Sequence, residues 1–539
     1  MFPPRLFWVT IIEVVLAAVL GRALAARTAD RRLNDRGAKT VLALLVPLHA
    51  VYFWALYLAG HDNFLNGAVD TATIAQSLWN IASGFRPYET ILETHMLRVH
   101  FTPWWYLLSL VFAWHPSIPW LIWLSCFSVS AGAWFVYLLG RDRLESAGFG
   151  LALAVSFLLN PYLQFGQLAA AHAENFVLPW ILASLVALNR RNWGAYALFA
   201  VLACLGKEDI GLYYAVLGVV LALGRGFRRV GVATAVPAVA YSLFVYLWWM
   251  PQFGPDTQDL INRFGHFGGT AREIAKTLIL RPDRVALAMA SWDKLFEIFY
   301  LLATTGFSLL AAGWAALPAA AAAALKSLTQ YRGMYLFRDH YALTVMPFLY
   351  WGAVEGTAAV FAGRFPRPAR WLLGPPGSGR VRAAAWFFGV LALLVNLERG
   401  MTPLSRKFDP SVFAVDSRNR LGEAMMRWLP PDASVLAQER LLPHVALRRR
   451  LHGALKEYAW YPGAEPRVLP EYAVFNRPGA ETLPFGDRLL GTALFFRTHP
   501  DYELLVDLEG WELYRRRADA ETPDPWPVRR RDYPPILWP

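Results

Sequence analysis

Five short polar clusters interrupt an otherwise apolar chain, and each holds residue types that can do chemistry. "NGAVDTATIAQSLWN" (66–80) carries a single acid, Asp70. "ETHMLRVHFTPWW" (93–105) carries His95, Arg98 and His100, "HAENF" (172–176) His172 and Glu174, and "KED" Lys207, Glu208 and Asp209. "FRDHY" (337–341) adds Arg338, Asp339 and His340. Carboxylates of this kind serve as general bases or as ligands for hard metal ions. Lysine, arginine and protonated histidine stabilise a phosphate or another developing anion.

Each cluster also has a plainer reading. Asp70 precedes "TATIAQSLW" and suits a helix N-cap, where a carboxylate accepts free backbone N–H groups. Ile74, Leu78 and Ile81 then give that helix one apolar stripe, so it can lie in the interface plane. His95 and His100 have the spacing of a weak metal pair or of interfacial histidines with ordinary partners, and Arg98 suits a solvated position. His172 and Glu174 fit a solvated turn, yet charge beside a membrane core is costly and tends to mark function. Lys207, Glu208 and Asp209 read equally as a self-neutralising junction or as a phosphate-binding cation with metal-binding carboxylates.

The elements that must position these groups are membrane helices. The composition is 56% hydrophobic and 17% charged, with mean hydropathy +0.31, outside the range of soluble domains. A spanning helix needs about 20 mostly apolar residues. Candidates are 6–26, 41–59, 117–140, 147–165, 230–250, 295–312, 341–361 and 382–398. Shorter ones are 175–189, 193–205, 210–223 and 314–325. Together they predict a mainly α polytopic protein of about 12 spans. The segment 103–114 is too short to span and reads as a re-entrant or surface-lying helix. Pro347 falls inside 341–361 and is placed to kink it.

Lys and Arg in short loops set the orientation. Seventeen basic residues lie in 27–40, 141–143, 190–191, 225–229 and 364–382, and six in the alternate loops 60–102, 166–174, 206–209 and 326–340. The richer side is the cytoplasm. Loop 60–116, the three short polar turns and everything after about residue 399 therefore face outward. This predicts a multi-pass protein of the inner (cytoplasmic) membrane, organised as an extra N-terminal helix and basic loop (1–40), a transmembrane domain (41–398) and an extracytoplasmic domain (399–539). In that last part "SVLAQ", "EYAVFN" and "DYELLVDL" read as strands and 417–429 as a helix, so a small α/β domain is expected.

The net charge of +12 belongs to cytoplasmic loops and predicts no nucleic-acid partner. Cys126 and Cys204 lie in apolar runs and read as small buried hydrophobes rather than a disulfide. Walker loops, dinucleotide fingerprints, His-Glu-x-x-His and nucleophile elbows are missing from the sequence, which argues against ATP-driven chemistry.

The order and spacing of "DTATIAQSLWN", "VHFTP", "HAENFVLP", "KED", "HYALTVMPF" and "LPPDASVLAQERLLPHVALR" resemble an uncharacterised bacterial family of predicted membrane proteins. That family is in turn similar to the GT-C superfamily of glycosyltransferases. The resemblance covers roughly residues 41–510. Ala75 stands where the family often has a second acid, and Ala173 where it tends to have proline.

The resemblance implies a GT-C-like fold that takes a sugar from a polyprenyl-phosphate donor outside the membrane and passes it to an envelope acceptor. It makes Asp70 and Glu174 the catalytic acids, and a divalent metal (Mg or Mn) bound by Asp70 and Glu174 possible. Substrate contacts are then expected from Gln76, Trp79, Arg98, His100, His172, Lys207, Glu208, Asp209, Arg338 and His340. A transporter or flippase, and a non-catalytic membrane protein, remain the alternatives.

Overall fold

The computed structural model describes residues 4–28, 33–66, 69–224, 226–253, 263–364, 379–454, 469–477 and 486–518. The chain divides into two compact units. The first comprises Met1–Phe53, Leu124–Ala169 and Ala173–Asp409, and the second Trp54–Trp123, Ala170–His172 and Pro410–Pro539.

The protein is mainly helical. Among the described residues five helices are long and apolar enough to cross a membrane: Arg5–Arg27, Asp35–Asp62, Ile118–Leu144, Arg228–Gln252 and Gly379–Arg399. A sixth is the pair Ala147–Leu158 and Pro161–Ala169, bent by 47°. Pro161 explains the bend, because the residue before a proline is pushed out of the α region. Ala173–Asn189, Trp193–Cys204 and Ile210–Leu223 are apolar but shorter. Five or six helices among the described residues thus reach spanning length, and the expected count of about 12 is not shown.

The difference has a local cause. Hydropathy windows ignore backbone breaks. In the stretch 295–312 the chain takes positive φ at Gly306 (58°) and Phe307 (57°), and again at Gly313 (59°). Helix Trp292–Ala303 ends there and two 3-10 turns follow, at Ser308–Ala311 and Gly313–Ala316. Likewise 341–361 becomes α-helical only from Met346, with Pro347 in its first turn instead of at a kink.

In the first unit, N-terminal helix Pro4–Arg27 packs along Gly379–Arg399. A Cβ on Gly21 would come within 2.8 Å of the Phe387 backbone nitrogen, so the two backbones approach only because that residue is glycine. Arg399 crosses the same interface. Its guanidinium lies 3.1 Å from the centre of the Tyr300 ring and donates to Thr10 Oγ1 at 2.8 Å.

The second unit contains helix Val69–Ala82 and the hairpin of β1 (Tyr88–Glu89) with β2 (Thr94–His95). Helix Trp104–Phe112 occupies the short apolar segment. Asp70 lies inside the first turn of its helix instead of capping it from outside. Of the apolar stripe Leu78 is buried and Ile74 and Ile81 are half-buried, while Thr71, Gln76 and Asn80 are buried beside Ala72 and Ala75.

The same unit holds a five-stranded sheet, ordered β4-β3-β5-β7-β6. Strands β3 (Val435–Gln438), β4 (Leu451–Ala454) and β5 (Tyr472–Asn476) are parallel neighbours, and β7 (Trp511–Arg516) runs antiparallel between β5 and β6 (Tyr502–Leu508). The sequence points to β3, β5 and β6. It does not point to β4, too short for a visible alternation, or to β7, whose charged residues mask its buried Trp511, Leu513 and Tyr514.

Candidate active site

In the first unit, charges accumulate where apolar helices start and stop. Helix Trp193–Cys204 ends one turn before Lys207, and Ile210–Leu223 begins directly after Asp209. Lys207, Glu208 and Asp209 are all buried. Glu174, 1% exposed, sits in the first turn of Ala173–Asn189, where a carboxylate is favoured by the helix dipole.

Lys207 Nζ donates to Glu174 Oε1. The same oxygen lies 3.7 Å from His340 Nε2. Lys326 Nζ donates to Asp209 Oδ2 at 2.6 Å, and the Tyr213 hydroxyl donates to that oxygen at 2.8 Å. Burial alone would lower the Lys207 ammonium, but Glu174, Asp209 and Glu208 outweigh it and hold it well above its ordinary value. Burial would likewise raise Asp209, yet Lys326 and Lys207 keep it below the usual carboxylate value. The cluster is therefore a charged network. Arg338 stands apart from it: exposed, with its charge acting on Glu297 and Lys407.

In the second unit, Asp70 keeps 65% of its side chain exposed, and its Oδ2 lies 3.5 Å from His172 Nε2. Glu439, at the start of the 3-10 turn after β3, lies within electrostatic reach of Asp70. Burial raises the Glu439 carboxyl, Arg440 opposes this, and the negative charge of Asp70 adds to it. Asp70 is the sole acid of its own stretch but does not stand alone in space.

Gln76 is fully buried and ties this unit together. Its amide donates to Thr90 Oγ1 at 2.9 Å and to the Arg448 carbonyl at 3.0 Å, and accepts from Thr90 N–H at 2.8 Å. Trp79 is half-buried with its ring 5.8 Å from that of Phe85. His95 caps the short helix Met96–Val99 by accepting from Leu97 N–H at 3.1 Å, and burial lowers its pKa to about 4. Arg98 and His100 are half-buried at the end of that turn.

The structure thus gathers Glu174, Lys207, Asp209 and His340 in one unit and Asp70 with His172 in the other, the two groups being joined by the chain at Ala173. Sequence reasoning missed Lys326, Tyr213 and Glu439. The signal for Lys326 was a lone cation ending the alanine run 319–324. Glu439 sits in a stretch that carried the family resemblance.

These features define a multi-pass helical membrane protein with buried ion networks at its helix ends. The chain belongs to the family of predicted membrane proteins DUF2079, whose profile matches residues 60–481. No curated protein sequence matches it. Among solved structures it is similar to ArnT from Cupriavidus metallidurans bound to undecaprenyl phosphate. That comparison gives 12% identity over 90% of this chain and 99% of that one, with a TM-score of 0.47. The apo state of the same protein aligns at 12% identity over 88% and 98%, with a TM-score of 0.45.

Proposed function

We propose that this protein is a GT-C-type glycosyltransferase that moves a sugar from a polyprenyl-phosphate donor to an envelope acceptor on the extracytoplasmic side of the inner membrane. The observation that carries the reading is the Asp70–His172 pair: a largely exposed carboxylate with an imidazole 3.5 Å away. Such a group is available as a general base, which is worth typically about 10²–10⁴-fold.

In this reading Asp70 takes the proton of an acceptor hydroxyl as the oxygen attacks the anomeric carbon. The bond from that carbon to the donor phosphate breaks, the phosphate leaves with the electron pair, and the anomeric centre inverts. Positive charge toward the leaving phosphate is assigned to the cationic candidates of the sequence, Lys207 and His340 among them. Glu174 and Asp209 hold those cations in place. Gln76 is a positioning residue that fixes the helix bearing Asp70.

A divalent metal, Mg or Mn, would find its oxygen ligands in Asp70 and Glu174. Glu174 is already neutralised by Lys207, so no step here requires a metal. Trp79, Arg98, His100, Glu208 and Arg338 stay part of the proposal as substrate contacts.

The test is sugar transfer in proteoliposomes supplied with a polyprenyl-phosphate sugar. Asp70→Asn should lower transfer about a hundredfold or more while leaving membrane insertion and melting temperature unchanged. Undiminished transfer in that variant would remove Asp70 from the mechanism. Movement of the lipid across the bilayer without sugar transfer would favour the transporter reading instead.

A further inference from the structure

Helix Ser417–Arg427 in the second unit has two distinct faces. Asp416 caps it, accepting from Asn419 N–H at 2.6 Å. Its inner face is fixed where Gly422 meets the Trp511 indole, whose Nε1 donates to the Arg418 carbonyl at 2.8 Å. Its outer face, at the 420, 423/424 and 427/428 spacing, lines a cavity of about 580 Å³ together with Asp62, Phe413, Val415 and Asn419. That volume lies within the ~300–1,000 Å³ usual for small-molecule sites.

The chemistry of the lining is specific. Trp428 is 69% exposed, so its flat apolar face is not used by the fold. Arg420 and Arg427 can only donate hydrogen bonds, Asp62 and Glu423 accept them, and Asn419 does both. Glu423 is held in place by His444 Nδ1 at 2.7 Å, and the His444 ring is itself fixed by stacking on His61 at 3.8 Å. Arg427 lies 3.4 Å from the same carboxylate. Arg420 forms no ion pair among the described residues.

We propose that this cavity binds a short saccharide. A sugar presents a ring of C–H bonds that stacks on an indole face, and hydroxyls that each donate and accept. An open tryptophan beside alternating guanidinium, carboxylate and amide groups matches both features. Two carboxylates set against two guanidinia leave the lining without the excess positive charge that a phosphate site needs. The site goes beyond the transfer chemistry above, since it is built from other residues and binding there needs no donor lipid.

The experiment uses the full chain in lipid nanodiscs and saturation-transfer NMR with cellotriose, maltotriose and chitotriose, without donor. At least one trisaccharide should bind, with affinity falling about tenfold or more in Trp428→Ala and in Arg420→Gln and mostly retained in Trp428→Phe. Both side chains are exposed, and melting temperatures check that the variants stay folded. Binding by none of the three, equal binding by wild type and Trp428→Ala, or displacement of the sugar by inorganic phosphate would overturn the proposal. Asp70→Asn should bind the saccharide normally, so failure of the transfer mechanism and failure of this site are separable.

Discussion

Lys326 Nζ lies 2.6 Å from Asp209 Oδ2 although the two residues are 117 positions apart, and both are buried. Each offsets the other's charge at that depth. Together they tie the last turn of helix Leu317–Ser327 to the start of Ile210–Leu223.

Removing one partner should be costly. Lys326→Met leaves Asp209 with Tyr213 and the more distant Lys207, and should destabilise the protein by about 3–5 kcal/mol. Lys326→Met combined with Asp209→Asn should recover a good part of that loss. Thermal unfolding in detergent, arranged as a double-mutant cycle, measures the coupling.

Gln76→Ala breaks the hydrogen bonds to Thr90 and Arg448 at once and leaves Thr90 N–H and the Arg448 carbonyl without that partner. The expected loss is about 2–4 kcal/mol, expressed in the second unit. Hydrogen exchange should quicken at Thr90, and helix Val69–Ala82 should lose protection with it. Transfer should fall through misplacement of Asp70, and unaltered exchange would show that the network is dispensable.

Glu89 gives a pH dependence of defined sign. Burial pushes its carboxyl up to about 8, with the Leu92 and Ile91 N–H groups opposing. Between its ordinary value of 4.5 and about 8 the folded chain holds a proton that the unfolded chain has lost. Stability contributed by the neutral form is therefore complete below that window and is lost as pH rises through it, by an amount on the order of a few kcal/mol. Glu89→Gln, which still accepts from Leu92, should flatten the decline in melting temperature between pH 5 and pH 8, the window set by this linkage.

Metal dependence follows from the pairing of Glu174 with Lys207. Because an ammonium already balances that carboxylate, transfer should survive EDTA. Loss of activity on chelation, restored by Mn or Mg, would instead show that transfer depends on a metal.

The amino-acid sequence by itself determined the solvent of the fold, the places where charge interrupts it and three of the five sheet strands. Those properties are local: hydropathy and alternation depend on residues a few positions apart. Even so, local pattern does not see backbone breaks: left-handed residues at Gly306, Phe307 and Gly313 interrupt a run that is apolar throughout. Nor does it see distant partners: Gln76 finds its acceptor 372 residues away at Arg448. Only tertiary structure could place Lys326 on Asp209, or bring Glu439 within reach of Asp70. Buried charges are stable only in pairs, and the identity of a partner far along the chain is fixed by packing, not by spacing.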